Sequence, residues 1–498
     1  MKNQPATIHR NATEVRQAIF GLGKESMIYG IGSVITRFIG LFTLPLFTAY
    51  LKPEEYGVLA MLALLTMIAQ PLFSLGLSAA MGPSYFESDN LLNKSKVVWT
   101  VFLINIVSAV ILIAIAWLFP VMLGQLVLLP TEYTYLVGIS LTGCALTVLA
   151  TSFTQRVQFE KQSKLYVMIT LATVLIATLV SAITVVFLEW GVKGMVIGQL
   201  AGNIVTFFAF LLIGLKATKP AVDFIMVKEL LRLGLPLVPS FALLFILMHA
   251  NKFILESQLG LDAVGIYSIG FNLGMAIGIV TNGVATAWYP FFMSYINRQS
   301  EAREIFARIF TYYFIGVGFL CLLFFLAAKP AVMLLTTDAF HDAYAVVGFV
   351  AMAFFFQTLF NLLTPGLYFN REVRYVTLLQ FLAVLFSLPI NYVLIAKMGV
   401  IGAAIGLAIG NCLMAVILYC WNVINRSRYL IILYEWKRIF SFIFFAFWVN
   451  IIYLQLPEIT TLGEVTKSIV IVMLAISSMY FLLNNKEKLF LIKMATKK

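Results

Sequence analysis

Fourteen apolar stretches of about twenty residues recur along this 498-residue chain, separated by short polar connections. Each is long enough to cross a ~30 Å hydrocarbon core as a helix. They fall near residues 26 to 48, 58 to 81, 97 to 119, 133 to 155, 165 to 188 and 195 to 215, then 233 to 254, 265 to 292, 309 to 328, 343 to 367, 375 to 396, 401 to 424, 439 to 456 and 468 to 484. Inside lipid every backbone N–H and C=O needs an internal partner, which leaves only helices or closed barrels. Barrel strands run to about 10 residues and alternate in polarity, whereas these stretches are longer and uniformly apolar. Composition agrees, at 61% hydrophobic and 11% charged, against roughly 45–50% and about 25% in soluble domains. The sequence predicts an all-α integral membrane protein of about 14 transmembrane helices.

Basic residues test that count, because Lys and Arg gather in short cytoplasmic loops. The N-terminus, the even-numbered connections and the C-terminal tail hold 27 of the 34, and the odd-numbered connections and their borders hold 6. The remaining one, Arg37, lies inside the first span. A miscounted helix would swap the two tallies, so both termini are expected in the cytoplasm. The net charge of +12 then reflects topology and the anionic inner leaflet, and no nucleic-acid partner is expected. Residues 1 to 25 lack the apolar core of a cleavable signal peptide. Ile8, Ala12, Val15, Ile19 and Leu22 share a helical face, so this segment either rests on the inner membrane surface or is a partly disordered tail. Cys144, Cys321, Cys412 and Cys420 fall within spans, and no disulfide is expected.

Half of the chain repeats the other half. Gly191 to Asn203 reads GVKGMVIGQLAGN and Gly399 to Asn411 reads GVIGAAIGLAIGN, with seven of thirteen positions identical at an offset of 208. Leu51 and Gly57 correspond at the same offset to Leu259 and Gly265, and Phe159 and Lys161 correspond at 210 to Phe369 and Arg371. The unit is six helices, an even number, so both copies enter the membrane in the same sense and are related by an axis along its normal. The expected organisation is a cytoplasmic N-terminal segment (1–24), an N-lobe of spans one to six (25–218), a C-lobe of spans seven to twelve (219–425), two further helices (426–484) and a basic cytoplasmic tail (485–498). Glycines four apart, at 194, 198 and 202 and at 402, 406 and 410, read as close-packing seams. Asn203 and Asn411 are expected to hydrogen-bond to neighbouring helices.

A charge at the bilayer centre costs on the order of 2.5 to 3.5 kcal/mol even on the lenient scale, so buried charges locate candidate sites. Arg37 lies midway along the first span, and either bonds to carbonyls of a neighbouring helix or faces a wet cavity that receives an anion. His249, Lys252 and Glu256 form a stripe at i, i+3 and i+7 on the seventh span, with Asn251 beside them; either the stripe faces a cavity between the lobes, or Lys252 and Glu256 snorkel at the outer face. Gln70, Asn272, Gln357 and Asn361 are the uncharged candidates, each read as interhelical contact or ligand. None of the 22 acidic residues falls mid-span, so a cavity between the lobes should be net positive and suit a phosphate-bearing cargo. No metal-spaced Cys or His cluster, P-loop or dinucleotide turn occurs, so no metal or cofactor and no enzyme activity is expected.

YGIGSVITRFIGLFTLPLFTAYLKPEEYGVLAMLALL (Tyr29 to Leu65), SLGLSAAMGPSYF, KFILESQLGLDAVGIYSIGFNLG (Lys252 to Gly274), YFNREVRYV and both Gly-rich motifs resemble the Wzx-type polysaccharide flippases of the MOP (MATE-like) exporter superfamily. Many members of that family carry an Asp-Arg pair where this chain has Asn251 and Lys252. The resemblance implies two six-helix lobes in a parallel inverted V plus two C-terminal helices. It further implies alternating-access transfer of an undecaprenyl-pyrophosphate-linked oligosaccharide, such as an O-antigen, capsule or exopolysaccharide repeat unit. Membrane lipids, a polysaccharide polymerase and a chain-length regulator are its implied partners, and a proton or sodium gradient its implied energy source. The rival readings are a cation-coupled multidrug exporter of the same superfamily and a membrane glycan polymerase or ligase.

Overall fold

The structure, a computed structural model, describes residues 12–455 apart from 88–89, 297, 371, 373, 427–431 and 433, together with 463 and 467. Every regular element among these is helical: α1 (Ala12–Tyr50), α2 (Pro53–Phe73), α3 (Leu77–Phe86), α4 (Leu91–Leu118), α5 (Pro120–Leu126), α6 (Tyr135–Phe159), α7 (Ser163–Ala182), α8 (Gly191–Ala217), α9 (Phe224–Gly234), α10 (Val238–Leu259), α11 (Leu261–Gly274), α12 (Gly278–Met293), α13 (Gln299–Leu335), α14 (Tyr344–Leu362), α15 (Pro365–Phe369), α16 (Arg374–Ile424) and α17 (Trp436–Gln455). Eleven helical stretches among the described residues are long and apolar enough to span a membrane. One of these, α16, is two spans joined at Gly399, and α10 occupies the place of the seventh expected span. The expected span at 468 to 484, the tail beyond it and Ile8 lie outside the described residues. So do the side chains of residues 12–27, whose backbone continues unbroken into the first span as one helix.

Helix boundaries follow local chemistry. Pro53 opens α2, with Glu54 and Glu55 in its first turn, and the Glu55 carboxylate accepts the Lys52 N–H at 2.8 Å, satisfying a free donor and the helix dipole together. Asn90 caps α4 through the Leu92 N–H (2.9 Å), and Asp223 caps α9 through the Ile225 N–H (3.1 Å). Gly191 and Gly399, equivalent across the repeat, both take positive φ, 50° and 61°. That left-handed turn is cheap only for glycine. Each copy uses it to double the chain back after its fifth span.

Core composition explains the V shape. At the end where α2 and α11 begin, here called the Pro53 face, one apolar core serves both lobes and joins Val58, Met61, Leu136 and Val192 to Leu255, Val264, Val346 and Ala403. At the opposite, Arg156 face the lobes have separate cores. One is built on Leu77, Trp99, Phe153 and Phe210, the other on Trp288, Phe306, Phe360 and Leu418. The lobes are joined at one end and divided at the other.

The junction is a helix crossing with two-fold character. A β-carbon at Gly57 would overlap the Leu261 carbonyl oxygen, and one at Gly265 would overlap the Pro53 carbonyl oxygen. Pro53 and Leu261 are themselves equivalent at offset 208, so the contact is self-complementary, as an isologous interface is. Missing side chains let α2 and α11 touch backbone to backbone, which in lipid is a principal source of helix affinity. Thr337 adds a lobe-to-lobe bond at the same end, donating to the Thr48 carbonyl at 3.0 Å.

The Gly-rich motifs are seams inside each lobe. Side chains at Gly198 and Gly202 would collide with Ser181, Ala177 and Thr173 of α7, and side chains at Gly402 and Gly406 would collide with Leu394 and Asn391 of α16. The expected interhelical role of Asn411 gives way to a local one. Its amide donates to the carbonyl of Leu407 at 2.9 Å, the acceptor one turn back on the same helix.

On the Arg156 face, polar contacts tie the N-lobe to α9. Arg156, only 7% exposed, donates to both oxygens of Glu160 at 2.7 and 2.8 Å, and the Tyr85 hydroxyl donates to the same carboxylate at 3.0 Å. Burial first, and the Glu160 charge second, push the Tyr85 hydroxyl up to about 12. Lys96 pairs with Asp223 at 3.3 Å. Gly76 and Gly234 meet backbone to backbone beneath this cluster.

Replacing Gly57 or Gly265 by Leu overfills the crossing and should cost about 1–3 kcal/mol, read as a lower melting temperature in detergent. Gly283→Leu, at a position with open space around it, should leave the melting temperature unchanged. The Asp223 carboxyl is held below its usual range, chiefly by the Lys96 hydrogen bond and then by the Ile225 N–H. Its stabilisation is therefore complete above the unfolded-state value of about 3.9 and is lost as pH falls through the lower folded value. Wild type should melt above Asp223→Asn at neutral pH, with the difference closing in strong acid.

Candidate functional site

Arg37 stands at the boundary between the lobes. Its guanidinium Nη1 donates to the Met275 carbonyl at 3.0 Å, crossing from α1 to the eighth span. That acceptor is exposed by a defect. Between α11 and α12 the chain tightens into a 3-10 turn, Met275–Ile277, and the Met275 oxygen takes the Gly278 N–H in place of a regular helical partner. Its second lone pair is left for Arg37. Gly278 lies beside the guanidinium, where a β-carbon would be in ordinary contact, 3.9 Å from both Nη1 and Nη2. Arg37 is half-buried and has five N–H donors. Its remaining donors have no protein acceptor among the described residues.

Lys252 lies elsewhere, within the C-lobe. It is 8% exposed, and its ammonium sits over the Phe271 ring at 5.2 Å, a cation–π contact strengthened by burial. No carboxylate pairs with it among the described residues. Asn251, one position earlier, is buried and donates to the Tyr267 hydroxyl and, at 3.5 Å, to the Ala403 carbonyl. Its Oδ1 and the Nδ1 of His249 are buried without partners. His249 lies between Phe245 and Phe271, at 5.2 and 6.1 Å between ring centroids. His249, Asn251, Lys252, Tyr267 and Phe271 therefore form one cluster shared by α10 and α11.

The other predicted residues are dispersed. Glu256 is half-buried one turn beyond Lys252, and Asn272 is exposed next to Phe271. Gln357 and Asn361 are half-buried on α14, where the Asn361 carbonyl accepts from Trp288 Nε1 at 3.1 Å. Gln70 is exposed on α2 and lines a polar cavity of about 200 Å³ between α2, α6 and α8. That cavity also takes Ser140, Thr147, Gln199 and Asn203, which sequence reasoning passed over or read as packing. A signal for them existed in Gln199, which stands where the second Gly-rich motif has Leu407. The Met275 carbonyl carried no sequence signal, because backbone acceptors are freed by geometry.

The arrangement offers two buried or half-buried cations without acidic partners, set in a bilobed helical frame. It can lower the cost of bringing an anion into the membrane. Among the described residues there is no group of three or more His, Cys, Asp and Glu able to hold a metal ion.

Solved structures share this frame. The lipid II flippase MurJ in an inward closed conformation aligns with a TM-score of 0.69 at 13% identity, covering 91% of this chain and 99% of its own. A multidrug resistance MATE family transporter of the MOP superfamily in an inward-facing conformation gives 0.63 at 15% identity, covering 80% and 98%. An outward-facing MATE conformation gives 0.58 at 14%, covering 82% and 95%. At such identities the likeness is one of fold. No curated protein sequence matches the chain. Residues 47–345 match the family model described as "Polysaccharide biosynthesis protein"; that span covers more than half of the chain, which therefore belongs to this polysaccharide biosynthesis family.

Proposed function

We propose that the protein is a flippase for an undecaprenyl-pyrophosphate-linked oligosaccharide, moving the glycan headgroup across the bacterial inner membrane by alternating access. The observation that carries this reading is Arg37. A guanidinium mid-membrane with a single bond to the protein, at the line where two lobes part, is costly unless an anion or water completes its shell. Arg suits phosphate, which its planar fork can engage bidentately. Lys252, unpaired by any acid, adds positive field from the C-lobe. Family membership and the lipid II flippase fold neighbour support a lipid-linked glycan as cargo.

The tally of basic residues assigns the Arg156 face to the cytoplasm. In that orientation the shared core closes the periplasmic end, the lobes part toward the cytoplasm, and the conformation is inward-facing. The cargo pyrophosphate engages Arg37 there while its lipid tail remains in the bilayer.

Surface polysaccharide is measured in a strain lacking the native gene, with membrane levels of each variant checked. Arg37→Ala should reduce export at least about tenfold, the scale of one lost charge-assisted bond. Arg37→Lys, which keeps the charge and loses the fork, should fall between. Wild-type export by both would remove Arg37 from the mechanism, and raised drug resistance on overexpression would favour a drug exporter instead. Lys252→Met fills the same space without charge and should keep or raise the melting temperature, because replacing a buried charge by an apolar side chain is often neutral or stabilising, while lowering export.

A further inference from the structure

The cavity between α2, α6 and α8 is polar in a way that helix packing does not require, and the repeat supplies the control. Its polar lining comprises Thr66, Gln70, Ser140, Thr147, Gln199 and Asn203. At the offsets of the repeat, Thr66 becomes Gly274, Gln70 becomes Gly278, Ser140 becomes Val350, Thr147 becomes Gln357 and Gln199 becomes Leu407. Val350 and Leu407 are buried in the core. Gly143, where a β-carbon would lie 2.7 Å from the Asn203 amide nitrogen, becomes Ala353. Asn203 is half-buried, whereas its counterpart Asn411 is 0% exposed. The lobes thus differ most at two positions, where Ser140 and Gln199 line the cavity and Val350 and Leu407 fill the core. Gln70, Gln199 and Asn203 have no protein hydrogen bond among the described residues, so their amides are available.

The lining names its ligand by what it lacks. With no carboxylate it is a poor cation site, and with no Lys or Arg a poor anion site. Paired amide donors and acceptors with hydroxyls suit a neutral polyol. About 200 Å³ is below the ~300–1,000 Å³ of drug-sized pockets, room for one ring. Depth agrees as well. Arg37 lies about 20 Å along its helix from the Pro53 face. The polar lining runs from Ser140 at about 8 Å and Gln199 at about 12 Å, through Thr66, Thr147 and Asn203 at about 18–20 Å, to Gln70 at about 26 Å, so it spans the level of Arg37. We propose that this N-lobe cavity is a sugar subsite, which takes one neutral, hydroxyl-rich ring of the cargo at the level where Arg37 takes its pyrophosphate. The proposal rests on the flippase reading above and deepens it.

The test measures equilibrium binding to the full-length protein in nanodiscs. The probes are farnesyl pyrophosphate and its conjugates with N-acetylglucosamine, glucose and galactose. In wild type at least one conjugate should bind about tenfold tighter than farnesyl pyrophosphate, as two net hydrogen bonds imply. Gln199→Leu and Ser140→Val, which install the residues of the other lobe, should abolish that advantage while leaving farnesyl pyrophosphate affinity and melting temperature unchanged. An advantage retained in both variants, or absent from wild type for all three sugars, overturns the subsite. Failure of wild type to bind any of the four probes overturns the flippase reading and the subsite with it.

Discussion

The backbone crossing of α2 and α11 is the constraint on which the other features depend. In lipid, apolar side chains gain little by meeting one another, so two bundles of oily helices have no general reason to stay together. Here the adhesion is concentrated where Gly57 and Gly265 let each helix press on the other's carbonyls. Because these positions are images of each other under the repeat, the contact enforces the symmetry of the whole frame. It places α1 beside the eighth span and so brings Arg37 to Met275. It also leaves the far ends of the lobes to their separate cores. Opening the Pro53 face means undoing a core that serves both lobes at once, a barrier that a gain on the opposite face or bound cargo must offset.

Symmetry of backbone coexists with asymmetry of chemistry. The N-lobe carries amides and hydroxyls where the C-lobe is filled with Val350 and Leu407, and the C-lobe carries Lys252 and His249 where the N-lobe has the apolar Leu44 and Leu41. Each lobe keeps the seam and the turn, at Gly191 and Gly399, that hold its fold. The positions free of that duty have diverged. In a duplicated chain, departures from the repeat mark function better than the repeat itself does.

The fold was largely legible in the sequence. Uniform apolar runs exclude strands, and the alternating tally of Lys and Arg requires an even repeat unit, which gives two lobes of one orientation. Both follow from the bilayer acting as a uniform solvent. Site residues were harder to read, because a charge in a span says that something must compensate it and not what does. Arg37 was visible as a cost, but its partner is a carbonyl freed by a one-turn defect between two glycines. Lys252 read as one of a stripe that either faces a cavity or snorkels outward, yet it lies over Phe271 in the interior of its own lobe, since a seven-residue spacing fixes a helix face and not what the face meets. Gln199 sat inside a motif that glycine spacing explained well, and that explanation hid it.

The helix between the lobes, α9, has a mechanical meaning. It is clasped to the N-lobe by Gly234 against Gly76 and by Asp223 with Lys96, so it moves with that lobe. The covalent link to the C-lobe is thereby shortened to the turn Leu235–Leu237, stiffened by Pro236. A tether this short permits rotation and forbids translation. The turn lies on the face where the lobes part, so it bounds how far they can separate there, and a mutation that loosened the clasp would lengthen the tether and widen that bound.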